Sequence, residues 1–217
     1  MNLTHEHTFP MTVLVTIGPT QEPLDAMRLI SNRSTGELGT LLAAALAERG
    51  HRVIALRGTG STAALASLKH DLIRIVPFTT TENLRRELEK IASEEQVDAI
   101  FHAAAVSDFY LPGAGTGKIP TKQGALTLTL EPTPKILPLL REWFPSARIV
   151  GWKFEASGNR QDVIAVGTAQ IASSHTDACV LNGPSYGEGF GVLTASGGLI
   201  HLMDRKALCQ HLTTQLP

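Results

Sequence analysis

A polar loop near the N-terminal end of the chain has the residue types of an anion-binding site. Residues 31–39 read Ser-Asn-Arg-Ser-Thr-Gly-Glu-Leu-Gly and directly precede a predicted helix. Exposed backbone N–H groups at the positive end of a helix attract phosphate and carboxylate groups. The alternative is that Ser34 or Thr35 only caps the helix, and the spacing alone favours capping over anion binding.

Three other side chains could act on a ligand. Asp108 follows residues 103–105, three alanines whose small side chains let a flat ligand approach the backbone closely. Lys118 lies ten residues further, in a segment rich in glycine, and Trp152 ends a predicted strand. Each has a simpler alternative role: Asp108 as the cap of its own turn, Lys118 as a solvated loop residue and Trp152 as part of the core.

Several signatures of common sites are absent from the sequence. No Gly-x-Gly-x-x-Gly follows the first predicted strand and no Gly-Lys-Ser/Thr P-loop occurs, which argues against a standard dinucleotide or P-loop site. The eight histidines show no metal-ligand spacing, so no metal cage is predicted. A Rossmann-type NAD(P) oxidoreductase of the short-chain kind needs a Tyr-x-x-x-Lys pair, and Ala114 stands where Tyr110 would require the lysine.

The composition excludes several classes of protein. Apolar residues make up 43% and charged residues 18% of the chain, a globular composition that excludes disorder, collagen and coiled coil. The net charge of −1 leaves no broad basic field, so no nucleic-acid partner is expected. No apolar run reaches the roughly 20 residues of a membrane helix, so no membrane partner is expected either. Residues 1–10 do not read as a signal peptide, and Cys179 and Cys209 are expected to be buried free thiols, which together predict a cytoplasmic protein.

The elements that must position these residues alternate between strands and helices. Apolar, β-branched runs predict six strands, at residues 12–17, 52–57, 72–76, 99–105, 148–152 and 178–181. Helices are predicted between and after them: one at residues 36–49, one opened by a capping box of Thr79 and Glu82, one capped by Thr133, one before the sixth strand, and one from Arg205.

This alternation predicts an α/β fold with a Rossmann-like, doubly wound, mostly parallel sheet. After Val106 the pattern changes, and we expect an inserted flap or hairpin in which residues 126–130 form a half-solvated strand. A C-terminal hairpin over residues 190–202 and a last helix complete the prediction. The expected organisation is a polar tail at residues 1–11 and a single domain at residues 12–217.

The topology also predicts where a ligand binds. In an open α/β sheet, ligands bind beyond the carboxyl ends of the strands, near the point where the strand order reverses. Residues 18–20, 106–109 and 153–155 leave predicted strands at that edge. We therefore expect these three segments to converge on one site.

Together the motifs resemble those of the phosphopantothenate–cysteine ligase family, also called phosphopantothenoylcysteine synthetase. The longest is Gly-Pro-Thr-Gln-Glu-Pro-Leu-Asp at residues 18–25, continued by Arg28, Ile30, Ser31, Asn32, Ser34, Gly36 and Gly39. Later motifs that resemble the family are residues 103–108 with Lys118 at the family's interval, residues 133–136, residues 150–153, and the segment from Asp177 to Asn182. The resemblance runs from about Thr12 to the C-terminus.

The resemblance implies a single-function ligase of coenzyme A biosynthesis. The carboxylate of 4′-phosphopantothenate would attack the α-phosphate of CTP or ATP and release pyrophosphate, and the amine of cysteine would then displace the nucleotide from the acyl-nucleotidylate. Mg²⁺ is expected with the nucleotide, and the resemblance implies a homodimer whose flap reaches towards the neighbouring site. No flavin site is expected, because the decarboxylase domain that is fused to this one in many bacteria has no counterpart in the sequence.

The resemblance also implies roles for individual residues. Asn32 would hydrogen-bond the reacting carboxyl or acyl group, and Lys118 would reach the α-phosphate from the flap, which makes these two the predicted catalytic residues. Substrate binding is assigned to Gly18, Ser34, Thr35 and Gly36. Nucleotide binding is assigned to residues that follow later strands, together with Lys118: Ala103, Ala104, Asp108, Thr133, Pro134, Ile136 and Trp152.

The sequence departs from the family pattern at charged positions. Gln170 and Ser174 stand where many bacterial members have lysines, which predicts weaker triphosphate affinity. Lys135 replaces an aspartate of the family and partly restores the positive charge, Lys153 resembles the lysine of single-function synthetases, and Lys122 remains from a lysine-rich run in the flap. These changes leave the choice between CTP and ATP open. They also motivate an alternative, a nucleotide-binding paralogue that has lost turnover.

Overall fold

The computed structural model describes residues 10–121 and 124–216. Most of the predicted tail, and Lys122 in the flap, therefore lie outside the described residues. The strands are β1 Thr12–Ile17, β2 Gln21–Pro23, β3 Leu29–Ser31, β4 Arg52–Gly58, β5 Ile73–Phe78, β6 Ala99–His102, β7 Phe109–Tyr110, β8 Glu131–Pro132, β9 Arg148–Phe154, β10 Ala178–Asn182, β11 Phe190–Thr194 and β12 Leu199–Leu202. The helices are α1 Glu37–Glu48, α2 Thr81–Glu94, α3 Ile136–Trp143, α4 Arg160–Ser174 and α5 Arg205–Thr214, with a short 3₁₀ helix at Leu65–Leu68.

Eight of these strands form one sheet in the order β12-β11-β10-β9-β6-β1-β4-β5. The six strands from β10 to β5 in this order are parallel, and β11 and β12 add an antiparallel hairpin at one edge. The chain builds outward from β1 through β4 to β5, then returns to β6 on the other side of β1. The strand order therefore reverses between β1 and β6, which confirms the predicted Rossmann-like, doubly wound sheet with its C-terminal hairpin and last helix.

Helices bury both faces of the sheet, which is why its central strands are apolar almost without interruption. Val13 and Val15 of β1 pack in the cluster formed with α1 and α5, whereas Leu14 packs with α2 and α3. α4 covers β10 through Val163 and Ile171. The carboxyl ends of the strands are left uncovered between these two layers.

The fourth predicted strand ends three residues early, at His102 in β6. The hydroxyl of Thr16 on β1 accepts the N–H of Ala104 at 3.0 Å, so a side chain takes the place of a ladder carbonyl. The chain pairs again at Ala105, which forms an isolated parallel β-bridge with Pro19, two residues after β1. This interruption moves the alanine segment out of the sheet and to its carboxyl edge.

The capping box predicted for α2 is not formed. Thr80, not Thr79, is the cap, and its Oγ1 accepts the N–H of Asn83 at 3.1 Å. The Asn83 side chain accepts the N–H of Thr79 at 2.9 Å, and not that of the cap residue. Glu82 is instead engaged by Arg85 in an ion pair at 2.8 Å.

The cap predicted for α3 is also wrong. The helix begins at Ile136 after Lys135, two residues later than Thr133 would place it. The Thr133 hydroxyl donates to Ser107 O and is therefore occupied. Pro138 is the third residue of α3, in the first turn, where its missing N–H breaks no helical hydrogen bond.

A short hairpin of β2 and β3 occupies a stretch for which the sequence predicts no regular element. Its turn contacts the flap: Asp25 Oδ2 accepts the N–H of Ile119 at 2.9 Å. The N–H of Ala26 also donates to Gly117 O at 3.3 Å. The β2–β3 hairpin is therefore hydrogen-bonded to the flap and holds it in place.

The strand predicted at residues 126–130 is not formed. Within the described part of the flap, the only ladder joins the two residues of β7 to the two of β8. Pro112 and Gly113 follow β7 almost at once and end this ladder, because proline has no N–H to donate. Leu126 and Leu130 are consequently exposed.

Cys179 and Cys209 are both buried free thiols, as predicted. Burial raises the pKa of Cys179 to about 12 and that of Cys209 to about 11, so both thiols stay protonated near neutral pH. None of the helices in the described ranges is long and apolar enough to span a membrane.

The close approach of α1 to β1 depends on Gly36, which precedes the helix with a φ of 77°. A Cβ at this position would lie 2.3 Å from Ser61 Oγ and 3.0 Å from Ile17 Cγ2. Gly50 follows the same helix with a φ of 88°, and nothing lies within 4 Å of its Cβ position. The two glycines share a left-handed backbone and differ in steric surroundings.

We expect Gly36→Ala to destabilise the fold more than Gly50→Ala does. Both variants place a side chain in left-handed backbone, at a cost of roughly 1–2 kcal/mol. Only Gly36→Ala adds the overlap with Ser61 and Ile17. Urea titrations give the free energy of unfolding of each variant, and equal losses would contradict the steric role of Gly36.

Candidate active site

A cleft of about 1170 Å³ lies beyond the carboxyl ends of β1, β6 and β9, where the strand order reverses. Its sides are the N-terminal ends of α1 and α3 and the body of α4. Most of the predicted site residues line it: Asn32, Ser34, Thr35, Gly36, Ala103, Ala104, Asp108, Thr133, Pro134, Ile136 and Trp152. Gly18 and Lys118 do not line it. Of the three segments expected to converge, residues 106–108 and 153–154 line the cleft and residues 18–20 do not. The role of each residue stays a prediction.

Hydrogen bonds join three loops at the base of the cleft. The N–H of Thr20 donates to Ala105 O at 3.2 Å, and the N–H of Ala105 donates to Gly18 O at 3.0 Å. The Thr20 hydroxyl accepts the N–H of Ser107 at 2.8 Å, and Ser107 O accepts the Thr133 hydroxyl. These bonds fix the loops after β1 and β6, and the segment before α3, relative to one another. We call this set of bonds the loop seam.

Asn32 is held across the loop seam. Its Nδ2 donates to Val106 O at 2.9 Å, and the neighbouring Ser31 Oγ donates to Thr20 O at 2.8 Å. The bond to Val106 uses one of the two N–H groups of the amide and leaves the other able to donate to a ligand. Because Asn32 is also exposed, its amide is oriented without being buried.

The polar loop before α1 is supported from behind by the loop after β4. Thr35 O accepts the Ser61 hydroxyl at 2.8 Å and two backbone N–H groups of that loop. Arg57 donates to two carbonyls of the same loop at 2.8 and 3.0 Å. Gly36 occupies the N-cap and has no side chain to cap with, while Thr35 Oγ1 accepts the N–H of Glu37 at 3.3 Å. Anion binding by this loop stays a prediction.

Two lysines in the cleft are each paired with a carboxylate of the same chain. Lys135 Nζ lies 2.5 Å from Asp108 Oδ1, and both side chains are more than half exposed. Lys153 Nζ lies 3.2 Å from Glu155 Oε1. An exposed ion pair contributes little to stability, so Lys135 can exchange its carboxylate for a phosphate at small cost. The Lys153–Glu155 pair is half-buried, with side chains 32% and 29% exposed.

Trp152 contacts both the core and the cleft. Its ring meets Phe101 edge to face, with 6.5 Å between the centroids. Gln170 Nε2 donates to Trp152 O at 3.4 Å and to Cys179 Sγ at 3.2 Å. Gln170 and the buried Ser174 both line the cleft. The two positions at which the resemblance predicts lysine therefore belong to the same cavity as the predicted nucleotide site.

Lys118 is exposed and lies on the flap, outside the lining of the cleft that includes Asn32. The adjacent residue, Ile119, is anchored by its N–H bond to Asp25 Oδ2, which also accepts Arg28 Nη1 at 2.6 Å. The other oxygen of Asp25 accepts two N–H groups of its own turn, both at 2.8 Å. The N–H of Ile119, more than any other group, holds the pKa of Asp25 below its usual range.

The sequence alone assigns no role to Thr20, Glu22 and Asp25 of the first motif. Glu22 is buried, and its Oε1 accepts both the N–H and the hydroxyl of Thr81, each at 2.7 Å, at the start of α2. Acidic and hydroxyl side chains in a polar stretch without helical or strand periodicity commonly accept backbone N–H groups. That pattern could have identified all three as residues that shape the loop.

Within the described ranges, no group of three or more His, Cys, Asp or Glu side chains could hold a metal ion. Mg²⁺ that accompanies a nucleotide takes most of its ligands from phosphates and water and needs one or two carboxylates. Asp108 and Glu37 are the carboxylates that line the cleft. The cleft therefore fits an ion that arrives with the triphosphate, and Mg²⁺ stays a prediction.

Comparison with known proteins identifies the family. The DFP family, described as the DNA/pantothenate metabolism flavoprotein C-terminal domain, matches residues 10–214. The chain belongs to this family. It is 32% identical over 170 residues to the coenzyme A biosynthesis bifunctional protein CoaBC of Thermococcus kodakarensis, covering 78% of this chain and 40% of that protein. It is 30% identical over 183 residues to CoaBC of Bacillus subtilis, covering 84% and 43%. The chain thus spans less than half the length of these curated relatives.

Solved structures share the DFP fold over almost the whole chain. The DNA/pantothenate metabolism flavoprotein from Streptococcus pneumoniae superposes with a TM-score of 0.82 at 21% identity, covering 94% of this chain and 97% of that one. A Cab2 variant in complex with phosphopantothenate-cysteine gives a TM-score of 0.77 at 22% identity, covering 95% and 85%. Identities this low establish the fold alone. The family resemblance inferred from the motifs is confirmed, and the homodimer stays a prediction.

We expect Asp25→Asn to release the flap. An asparagine has one acceptor oxygen where the carboxylate has two. The two N–H groups of the turn retain that oxygen, so the N–H of Ile119 loses its acceptor. Amide hydrogen exchange at Ile119 should then be several-fold faster. Asp71→Asn, at an exposed carboxylate remote from the flap, is the control, and an unchanged exchange rate in Asp25→Asn would show that this carboxylate does not anchor the flap.

Proposed function

We propose that this DFP-family protein is a phosphopantothenate–cysteine ligase that uses CTP or ATP as co-substrate. The position of Asn32 carries the proposal: its amide is bonded to Val106 O, where the polar loop meets the alanine segment. It therefore lies between the part of the cleft predicted for the acid and the part predicted for the nucleotide. The family match, and curated relatives named for coenzyme A biosynthesis, support this reaction.

The reaction must bring two anions together, so its site needs N–H donors and cations that are already oriented. The polar loop before α1, supported by Ser61, would bind the phosphate of 4′-phosphopantothenate. The second N–H of Asn32 would then donate to the carboxylate that attacks, and later to the acyl oxygen on which charge develops. Because Val106 holds the amide in place, little reorganisation accompanies the reaction.

The nucleotide would bind in the other half of the cleft, against Ala103, Ala104 and residues 133–136. Lys135 and Lys153 would leave their carboxylate partners for the triphosphate. They would supply positive charge that the uncharged Gln170 and Ser174 do not. Mg²⁺, when bound with the nucleotide, would neutralise phosphate charge.

The uncharged residues Gln170 and Ser174 support a second candidate function. A nucleotide-binding paralogue without turnover would keep the same fold and cleft and would need no transfer chemistry. The two functions differ in one product, because ligation releases pyrophosphate and binding does not.

We expect pyrophosphate release that requires 4′-phosphopantothenate, cysteine and one of CTP or ATP, measured in a coupled assay with Mg²⁺. Asn32→Asp is nearly isosteric and should lower turnover by about 10²–10³-fold, because it removes a donor and places negative charge beside a carboxylate. Its unfolding midpoint should match the wild type. Nucleotide binding without pyrophosphate release would favour the paralogue, and near-normal turnover of Asn32→Asp would remove this residue from the mechanism.

Lys118→Gln should lower kcat by about 10²–10³-fold, since a lysine that meets charge developing during transfer acts on turnover. This expectation requires the flap to close over the cleft, because Lys118 does not line it. Stability should change by less than about 0.5 kcal/mol, as for most surface substitutions. Lys90→Gln, on the exposed face of α2, is the control. Equal, small effects of both variants on kcat would show that Lys118 is only a solvated loop residue.

A further inference from the structure

A buried histidine at the floor of the cleft takes no part in the ligation described above. His102 ends β6, is 7% exposed and lines the cleft. Its Nδ1 lies 3.0 Å from Oγ1 of Thr16, the residue paired with it on β1. The same Thr16 hydroxyl accepts the N–H of Ala104 at 3.0 Å.

These two contacts determine which nitrogen of the ring carries the hydrogen. The Thr16 hydroxyl has a single hydrogen, and the described contacts offer it no acceptor other than His102 Nδ1. Nδ1 therefore accepts, and the ring hydrogen is on Nε2, on the side away from Thr16. Burial also lowers the pKa of His102 to about 4, so the ring is neutral near pH 7.

The space beside His102 suits a flat, uncharged group. The position over its partner on β9, Gly151, is already filled, because Leu137 Cδ2 and Gln170 Nε2 each lie 3.0 Å from the Cβ position of that glycine. Both side chains line the cleft together with His102, so they narrow the approach to the ring. The walls of the cleft contributed by α3 and α4 include apolar side chains: Ile136, Leu137, Pro138, Val166 and Ala169.

The ion pair of Asp108 and Lys135 lies nearer the surface of the cleft than His102 does. Asp108 and Lys135 are 65% and 70% exposed and form their pair at the surface. A phosphate is well placed there, whereas burial beside a neutral imidazole would remove water from the phosphate without supplying a compensating charge. A heteroaromatic ring has the opposite needs, because it gains from apolar contact and requires single donors for its acceptor atoms.

We propose that His102 is a specificity-determining residue that donates its Nε2–H to an acceptor atom of the nucleotide base. The base would lie against the apolar walls from α3 and α4, with its triphosphate towards the exposed Lys135. Cytosine and adenine carry their acceptor atoms at different positions, so this one donor contributes to the choice between CTP and ATP. The inference rests on the proposed function, since it requires a nucleotide in the cleft.

The test measures binding of CTP, of ATP and of inorganic triphosphate, which has no base, to the full chain by calorimetry. His102→Leu should raise the Kd of the preferred nucleotide about tenfold, equivalent to about 1.4 kcal/mol. It should leave inorganic triphosphate unaffected, whereas a general distortion of the cleft would weaken both ligands. His102→Gln can present an amide N–H near the place of Nε2 and should restore most of the affinity.

His51 provides a matched control. It is also a buried histidine, 3% exposed, and its Nδ1 accepts the N–H of Met11 at 3.3 Å. It precedes β4, at the edge of the sheet opposite the cleft. His51→Leu should therefore leave both affinities unchanged.

A ¹⁵N spectrum of the wild type covers the case in which His102→Leu does not fold. It should show the Nε2–H form of His102, and addition of the preferred nucleotide should shift its Nε2 resonance. Nucleotide binding with an unmoved Nε2 resonance, or equal affinities of wild type and His102→Leu, would overturn the inference and leave the ligase proposal intact. Base-dependent binding through His102 without pyrophosphate release would overturn the ligase and keep the inference, and a wild type that binds neither nucleotide would overturn both.

Discussion

The loop seam between β1 and β6 is the constraint on which the rest of the site depends. At the point where a doubly wound sheet reverses its strand order, two loops leave neighbouring strands and diverge to opposite faces. Here the backbone bonds between Thr20, Ala105 and Gly18 keep the loops together beyond the end of the ladder. Ser107 and Thr133 extend the same connection to α3. Without these bonds Val106 would not be placed to orient Asn32, and the two halves of the cleft would have no fixed separation.

The first motif of the chain acts mainly as a framework for this seam. Thr20 bonds two loops, Glu22 accepts two hydrogen bonds at the start of α2, and Asp25 carries the flap. A carboxylate at the N-terminus of a helix is also favoured by the helix dipole. Buried polar groups of this kind stabilise a structure only when every partner is in place, which ties the motif to its exact environment. A long motif in a family of enzymes can therefore reflect shape as much as chemistry.

The cleft separates two kinds of recognition by their exposure to water. Lys135 and its partner Asp108 lie at the surface, where an ion pair costs little to exchange. The neutral His102 lies deeper, where charge would be costly and a single donor is most selective. The proposed ligase would need both environments, one for the triphosphate and one for the base. The fold supplies them at the mouth of the cleft and at its floor.

Hydrophobic periodicity and turn residues determined the six parallel strands of the sheet and the edge that Asp108 and Trp152 share. These are local patterns that burial on both faces of a sheet imposes. The hydrogen-bond partners of polar side chains are not local, and the tertiary structure alone decided them. Thr16 ends β6 early by binding Ala104, 88 residues away, and a bond from Thr133 to Ser107 removes a cap that the sequence predicts. His102 illustrates the same limit, because its type allows two tautomers and a charge, and only burial beside Thr16 makes it a neutral donor.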